Sequence, residues 1–399
     1  MAPKSKPKEP AATPRSAWLK RGLIVVGALV LLGGGAFVGV AWYYADQIES
    51  GAFRVDNSPP DLDLKVERIE NREVTLRRVT GDARLDEPGV LGLESARGYA
   101  QIGDVREFDG DLVVRRFEPI DGAIATGDEV RFDRSAFPGD PRRAHGLEYQ
   151  EIRIPAKIGD LPAWYVEGRG DVWAILVHGR TARRTEALRA LKTVSDAGMP
   201  ALVVSYRNDG EVPTDPSGRY QFGLTEWQDL EAAVKYALGK GAGSVVLIGY
   251  SMGGAIIANF MYESKVSDEV AGLVLDSPML DLGQTVDLAA RERNLPQVLA
   301  SAAKRIATWR YGVDWTALNY LARVDELEAP VLLFHGDRDR TVPISISDHF
   351  ARERRDIVTY VRVPGADHVA SWNVDPVRYE KALLEFLKKV TISPKVVSS

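Results

Sequence analysis

The sequence contains no cysteine. That excludes a thiol nucleophile, disulfides, thiolate zinc sites, iron–sulfur clusters and thioether lipidation. Histidine is scarce, with five in 399 residues: His145, His178, His335, His349 and His368. Any chemistry that needs an imidazole must choose among them. Excess basic charge is also lacking. Lys and Arg number 51 against 56 Asp and Glu, a net charge of -5, so no nucleic-acid partner is indicated. What remains, 45% hydrophobic and 27% charged residues, is ample for a large buried core.

One long apolar run stands near the N-terminus. Residues 1–21 carry Lys4, Lys6, Lys8, Arg15, Lys20 and Arg21 against Glu9 alone. Pro3, Pro7, Pro10 and Pro14 argue against a folded segment there. From Gly22 to Ala45 there is no charge. At ~1.5 Å rise per residue, a helix of that length spans about 36 Å, enough for a bilayer core of about 30 Å. Trp18 lies at one end and Trp42, Tyr43 and Tyr44 at the other, where aromatic rings favour the interface. Acidic residues follow: Asp46, Glu49, Asp56, Asp61 and Asp63. The basic flank belongs in the cytoplasm, so the remainder is expected outside it, in a single-pass cell-membrane protein. The rival is a cleaved signal peptide ending at Gly39-Val40-Ala41, for which the apolar run is long.

Residues 46–145 read as a small β-rich juxtamembrane module, with alternating runs such as LKVERI and REVTLRRV. Pro138, Gly139 and Pro141 mark a linker. Beyond it, EIRIPA and PAWYVEG suggest a hairpin. Apolar runs then alternate with helical stretches: VWAILVH (172–178), ALVVSY (201–206), SVVLIG (244–249), GLVLDS (272–277), VLLFHG (331–336) and VTYVRVPG (358–365). LTEWQDLEAAVKYAL (224–238) has helical spacing between two of them. Strands alternating with helices imply a mostly parallel sheet covered on both faces, with function at the carboxyl edge. Residues 278–328 interrupt the rhythm. LPQVLASAAKRIATWRYG and WTALNYLA there read as helices of a lid, and Trp309, Tyr311, Trp315 and Tyr320 are candidates to line a pocket or pack on the sheet.

Gly249-Tyr250-Ser251-Met252-Gly253 is a G-x-S-x-G sequence between an apolar strand and a helix. That context fits a sharp turn that exposes the oxygen of Ser251, with Gly249 and Gly253 leaving room for the backbone. A serine hydroxyl needs a base to become a nucleophile. His368 follows the last strand and is favoured over His178 and His335, each of which precedes a glycine. The imidazole needs an acid. Asp337, Asp339 and Asp276 all end or follow strands, and Asp339 is favoured because it lies farther into its loop. An oxyanion needs two N–H donors. The backbone of Met252 is one candidate and that of Arg180, in HGRTARR after VWAILVH, is the other. Arg207, Asn208 and Asp209 in YRNDGEVP lie near the same edge, as loop caps or contacts.

The HGR loop, GYSMGG, HGDRDRTVP and GADH occur in the order and spacing of the α/β-hydrolase superfamily. Over 146–390 the chain resembles its serine hydrolases related to serine aminopeptidases, prolyl-oligopeptidase catalytic domains and small esterases. The resemblance implies an α/β-hydrolase fold, a mostly parallel sheet with helices on both faces and a short helical lid. It implies Ser251 as nucleophile, His368 as base, Asp339 as acid, and Arg180 and Met252 as oxyanion donors. The expected activity is cleavage of an ester or amide acyl bond in a small-molecule or peptide substrate, with no metal or organic cofactor. Transfer to an acceptor other than water, a haloperoxidase-like side activity and a non-catalytic binding role are the alternatives on the same fold. Residues 391–399 read as a tail, and residues 46–145 are not explained by the resemblance.

Overall fold

The computed structural model describes residues 14–81 and 84–392. Most of the basic segment 1–21 and most of the tail 391–399 therefore lie outside the described residues. A single helix runs from Pro14 to Ile48. It contains the whole charge-free run and exceeds it at both ends. Leu23, Ile24, Leu31 and Leu32 are exposed along it, and the helix is long and apolar enough to cross a membrane. Its last turns behave differently, because they meet protein. Ala41 and Ala45 are buried, and the helix packs along helix Gln297–Tyr311. The Trp42 and Trp309 rings meet edge to face at 5.8 Å, and the Arg310 guanidinium lies 4.5 Å from the Trp42 ring centre. Asp46 accepts from both Arg310 and the Tyr311 hydroxyl. A wider π-type turn, Glu49–Phe53, then drives Phe53 into the core against Phe222.

The expected β-rich module starts later than its composition suggests. Residues 46–63 are helix, turn and extended chain with one isolated bridge, Arg54 to Arg219, and the barrel strands begin at Leu64. Six strands follow: β1 (Leu64–Glu70), β2 (Glu73–Arg78), β3 (Leu91–Ser95), β4 (Gly98–Asp109), β5 (Leu112–Gly122) and β6 (Glu129–Asp133). They close into a barrel in the order β1-β2-β5-β4-β3-β6, with β6 pairing back onto β1. Closure leaves no edge to pair with another chain. Alternate side chains point inward, among them Val66, Leu76, Leu93, Ile102 and Val113. Arg115 shares the inward parity of Val113 and Phe117 on β5 and is fully buried. Its guanidinium donates to the carbonyls of Gly103, Leu85, Glu87 and Gly89 at 2.7–3.3 Å. Burial lowers its pKa to about 10, which leaves it charged at neutral pH.

At the expected linker the chain forms a short helix, Pro141–His145. Proline stands at its first position, where a missing N–H costs nothing, and the Asp140 carboxylate caps Arg142 and Arg143. An eight-stranded sheet follows: β7 (Gln150–Ala156), β8 (Gly159–Val166), β9 (Val172–Val177), β10 (Ala201–Val204), β11 (Ser244–Tyr250), β12 (Val270–Asp276), β13 (Val331–Gly336) and β14 (Val358–Val363). The hairpin β7–β8 is antiparallel, and β9 to β14 run parallel in the order β14-β13-β12-β11-β9-β10. Both faces are covered. Ile175, Leu247, Leu273 and Leu333 face one core, and Leu176, Ile248, Val274 and Leu332 face the other. From β9 the chain turns to β10 on one side and later to β11 on the other. That reversal opens a crevice at the carboxyl edge. The interruption 278–328 holds helices Leu282–Glu292 and Gln297–Tyr311, then a 3-10 stretch, Tyr320–Glu326. WTALNYLA is therefore half turn (315–318), then the bridge residue Asn319 and the start of the 3-10 stretch. The Asp314 carboxylate accepts from the N–H groups of Thr316 and Ala317 and holds the chain there.

Replacing Arg115 with methionine leaves four buried carbonyls without their donor. We expect a loss of about 3 kcal/mol or more, read as a lower urea midpoint for the full chain. An unchanged midpoint would mean that the guanidinium is dispensable to the barrel.

Candidate active site

Ser251 follows β11 and directly precedes helix Met252–Glu263. Its backbone sits at φ 50°, ψ −113°, a conformation that costs a side-chain-bearing residue about 1–3 kcal/mol. Three backbone bonds hold it there. Its N–H donates to the Asp276 carbonyl, and its own carbonyl accepts from Gly254 and Met279, each at 3.0 Å. The turn also needs Gly253, because a Cβ there would lie 2.3 Å from the Val177 carbonyl oxygen.

The Ser251 hydroxyl lies 2.8 Å from His368 Nε2. His368 Nδ1 lies 2.8 Å from Asp339 Oδ2. A carboxylate only accepts, so the ring proton sits on Nδ1 and Nε2 is left to accept from the serine. Asp339 is held firmly. Its Oδ1 accepts from the N–H groups of Thr341 and Val342 at 2.8 Å, and the buried His335 ring reaches its Oδ2 at 3.2 Å. Burial alone would raise the Asp339 pKa. The His368 charge and the hydrogen bonds from both rings outweigh it, and the carboxyl is held well below the usual carboxylate range.

The second strand end in the crevice is β9. The Gly179 N–H donates to Glu186 at 2.7 Å, and the Tyr206 hydroxyl donates to the carbonyls of His178 and Gly179. His178 stacks on Tyr206 and meets Asp209 at 2.9 Å. Burial opposes protonation of its ring, but the Asp209 carboxylate prevails and raises its pKa. So the loop is fixed from beneath. The backbone N–H groups of Arg180 and Met252 have no acceptor within the described residues. The Arg180 side chain lies over the Tyr220 ring, 6.0 Å from its centre.

The other candidates take supporting positions. Asp337 accepts from the Gly365 N–H. Asp276 is buried and accepts from the Ser371 hydroxyl at 2.8 Å. Arg207 pairs with Asp229 and Asp215 away from solvent, and Asn208 and Asp209 cap their loop. Trp309 and Tyr311 face the N-terminal helix, Trp315 donates to the Lys304 carbonyl, and Tyr320 donates to the Phe222 carbonyl. Sequence reasoning missed His335 as a contact of Asp339. It also missed Asp367, whose Oδ1 accepts from the N–H groups of His368 and Arg340. The four-residue spacing of His335 and Asp339 in HGDRD holds the first clue, since a turn that returns Asp339 toward its strand brings it beside His335.

A model of the alpha/beta hydrolase family matches residues 174–382, more than half of the chain. This chain belongs to the α/β-hydrolase family. A second family model, for a domain of unknown function, matches residues 65–133, the barrel. Uncharacterized protein YqkD of Bacillus subtilis is 24% identical over 253 residues, covering 62% of this chain and 82% of that one. Protein ABHD12B of Homo sapiens is 27% identical over 230 residues, covering 51% of this chain and 58% of that one. Little more than half of the human relative is thus spanned. Esterase Pf2001 of Pyrococcus furiosus shares the fold with a TM-score of 0.51 at 23% identity, over 63% of this chain and 97% of that one.

Because Asp339 titrates lower in the folded chain than the ordinary 3.8, its ionised form stabilises the fold above that pH. The contribution fades as pH falls toward the depressed folded value. The stability gap between wild type and Asp339→Asn is expected to be widest above about pH 4 and to narrow in stronger acid. Urea unfolding across pH 2–7 checks this, and a gap that widens in acid would contradict it.

Proposed function

We propose that this protein is a membrane-anchored serine hydrolase that cleaves an acyl ester or amide through a covalent acyl enzyme. The observation that carries this reading is the Ser251–His368–Asp339 relay, with two bonds of 2.8 Å in line. Ser251 Oγ attacks the acyl carbonyl while His368 Nε2 takes its proton. Asp339 holds the ring and stabilises the imidazolium. The oxygen that becomes negative accepts from the Met252 and Arg180 amides, which have no other acceptor among the described residues. His368 then gives its proton to the leaving group. In the second half it takes a proton from water, whose oxygen attacks the acyl carbon, and it returns that proton to Ser251 Oγ as the acyl–oxygen bond breaks and the acid leaves. No step in this relay requires a metal or organic cofactor.

The hydrolase unit of this reading is 146–390, with 278–328 as a lid over the crevice. The neighbouring archaeal structure is called an esterase, so esters are the first substrates to test. p-Nitrophenyl esters of graded chain length and aminoacyl-nitroanilides separate esterase from peptidase. Ser251→Ala should lower turnover by about 10⁶, and Asp339→Asn by about 10⁴. Equal rates in wild type and Ser251→Ala would refute the assignment.

The anchor is the helix Pro14–Ile48, whose apolar length supports a single pass with the basic end in the cytoplasm. The full chain should stay with membranes through an alkaline carbonate wash. Arginine at both Val30 and Leu31 costs about 2.5–3.5 kcal/mol for each substitution at mid-bilayer and should release it. Release of the unaltered chain by the wash would contradict anchoring.

A further inference from the structure

The barrel touches the loop that carries His368. The buried carboxylate of Asp367 is the junction. Its Oδ1 accepts from two amides, that of His368 at 2.9 Å and that of Arg340 at 3.1 Å. One amide belongs to the base and the other follows Asp339, so a single carboxylate ties the base loop to the acid loop. Its Oδ2 faces the barrel. There Arg84 approaches to 2.5 Å and Arg134 to 3.6 Å.

Both arginines are themselves oriented. Arg134 is braced by the buried Glu87 at 2.6 Å. Arg84 opens the segment 84–90, whose carbonyls the buried Arg115 grips from inside the barrel. A second contact lies beside the first. The Val90 N–H donates to the Asn373 carbonyl at 2.8 Å, and the Asn373 amide donates back to the Val90 and Arg134 carbonyls. A Cβ on Gly89 would lie 2.1 Å from the Asn373 carbonyl oxygen, so the two segments meet with no room to spare.

The histidine loop needs such support. Val369, next to His368, has φ 54°, a strained value for a β-branched residue. Within the hydrolase unit its N–H finds only the Ser277 hydroxyl, at 3.2 Å.

We infer that Arg84 and Arg134 of the barrel are positioning residues for His368, acting through Asp367, and that the barrel serves to hold the base and acid loops of the hydrolase in register. The inference rests on the reading of His368 as the catalytic base. Removing the arginines leaves a buried carboxylate with neutral donors only. It then turns toward water, and the two amides it holds shift with it. A displacement of about 1 Å at a catalytic group is enough to cost up to about a hundredfold in rate.

The test uses the full chain in detergent micelles. The variants are the double substitution Arg84→Ala with Arg134→Ala, and the conservative pair Arg84→Lys with Arg134→Lys. The readouts are kcat and KM for p-nitrophenyl butyrate, the thermal unfolding midpoint, and the ¹⁵N-histidine spectrum. In that spectrum the His368 Nδ1–H signal is identified by its loss in His368→Gln. We expect the alanine pair to lower kcat by about ten- to a hundredfold with KM nearly unchanged, and to move or broaden the His368 signal. The lysine pair should recover most of both. Should the alanine pair fail to fold, Asp367→Asn carries the test with the same expected effects. It keeps an acceptor for the two amides and removes the charge that the arginines hold. If wild type shows no turnover yet the His368 signal moves, the hydrolase reading falls and the positioning stands. If kcat and the signal both stay at wild-type values while only the unfolding midpoint drops, the barrel is a structural brace alone and the inference is overturned.

Discussion

One imidazole must meet two partners at once. His368 lies 2.8 Å from Ser251 on one side and 2.8 Å from Asp339 on the other, and these residues come from three separate loops. A hydrogen bond weakens steeply with misalignment. The sheet must therefore deliver β11, β13 and β14 to one edge in fixed register, and each following loop must be held against drift. The elbow at Ser251 is held by three backbone bonds and a glycine contact. The loop of Asp339 is held by two amides and His335. The loop of His368, which carries a strained valine, takes support from Ser277 and from the barrel. Two of the positive-φ residues, Ser251 and Val369, lie at or beside this cluster, and the surrounding hydrogen bonds offset their strain.

The N-terminal helix is not joined to the rest by a loose tether. Its lower turns bury Ala41 and Ala45, clasp helix Gln297–Tyr311 through Trp42 and Asp46, and push Phe53 into the core. The Phe53 carbonyl accepts from the Tyr220 N–H, and the Tyr220 ring lies beneath Arg180. Contacts thus run from the end of the apolar helix, through the 207–224 loop, to the edge of the crevice. Packing of this kind fixes the orientation of the crevice relative to the helix axis.

Much of this was legible in the residue order, for local reasons. The parallel strands from β9 to β13 are apolar runs because both faces are covered, whereas the edge strand β14 carries exposed Thr359 and Arg362. Ser251 announces itself because its turn needs glycines at fixed offsets between a strand and a helix. Asp339 and His368 stand out by their places after strands, and the structure brings their side chains to 2.8 Å. Other features were hidden because they depend on partners far away in the chain. Arg84 and Asp367 are 283 positions apart, and no periodicity links them. His335 looked like a loop support, and it meets Asp339 only because the intervening turn folds back. The turn at 315–318 carries the apolar spacing of a helix, yet the Asp314 cap prevails. Arg115 was detectable in principle: a charge on the inward parity of a strand, between Val113 and Phe117, signals a buried guanidinium with a structural task.

The most direct measurement is covalent. A fluorophosphonate reacts with a serine oxygen only where an adjacent base and an oxyanion pocket activate it. The full chain treated with one should carry a single adduct, and peptide mass mapping should place it on Ser251. His368→Ala should abolish it. An unmodified Ser251 in a folded chain, or an adduct formed equally well without the imidazole, would contradict the relay from which the proposed chemistry follows.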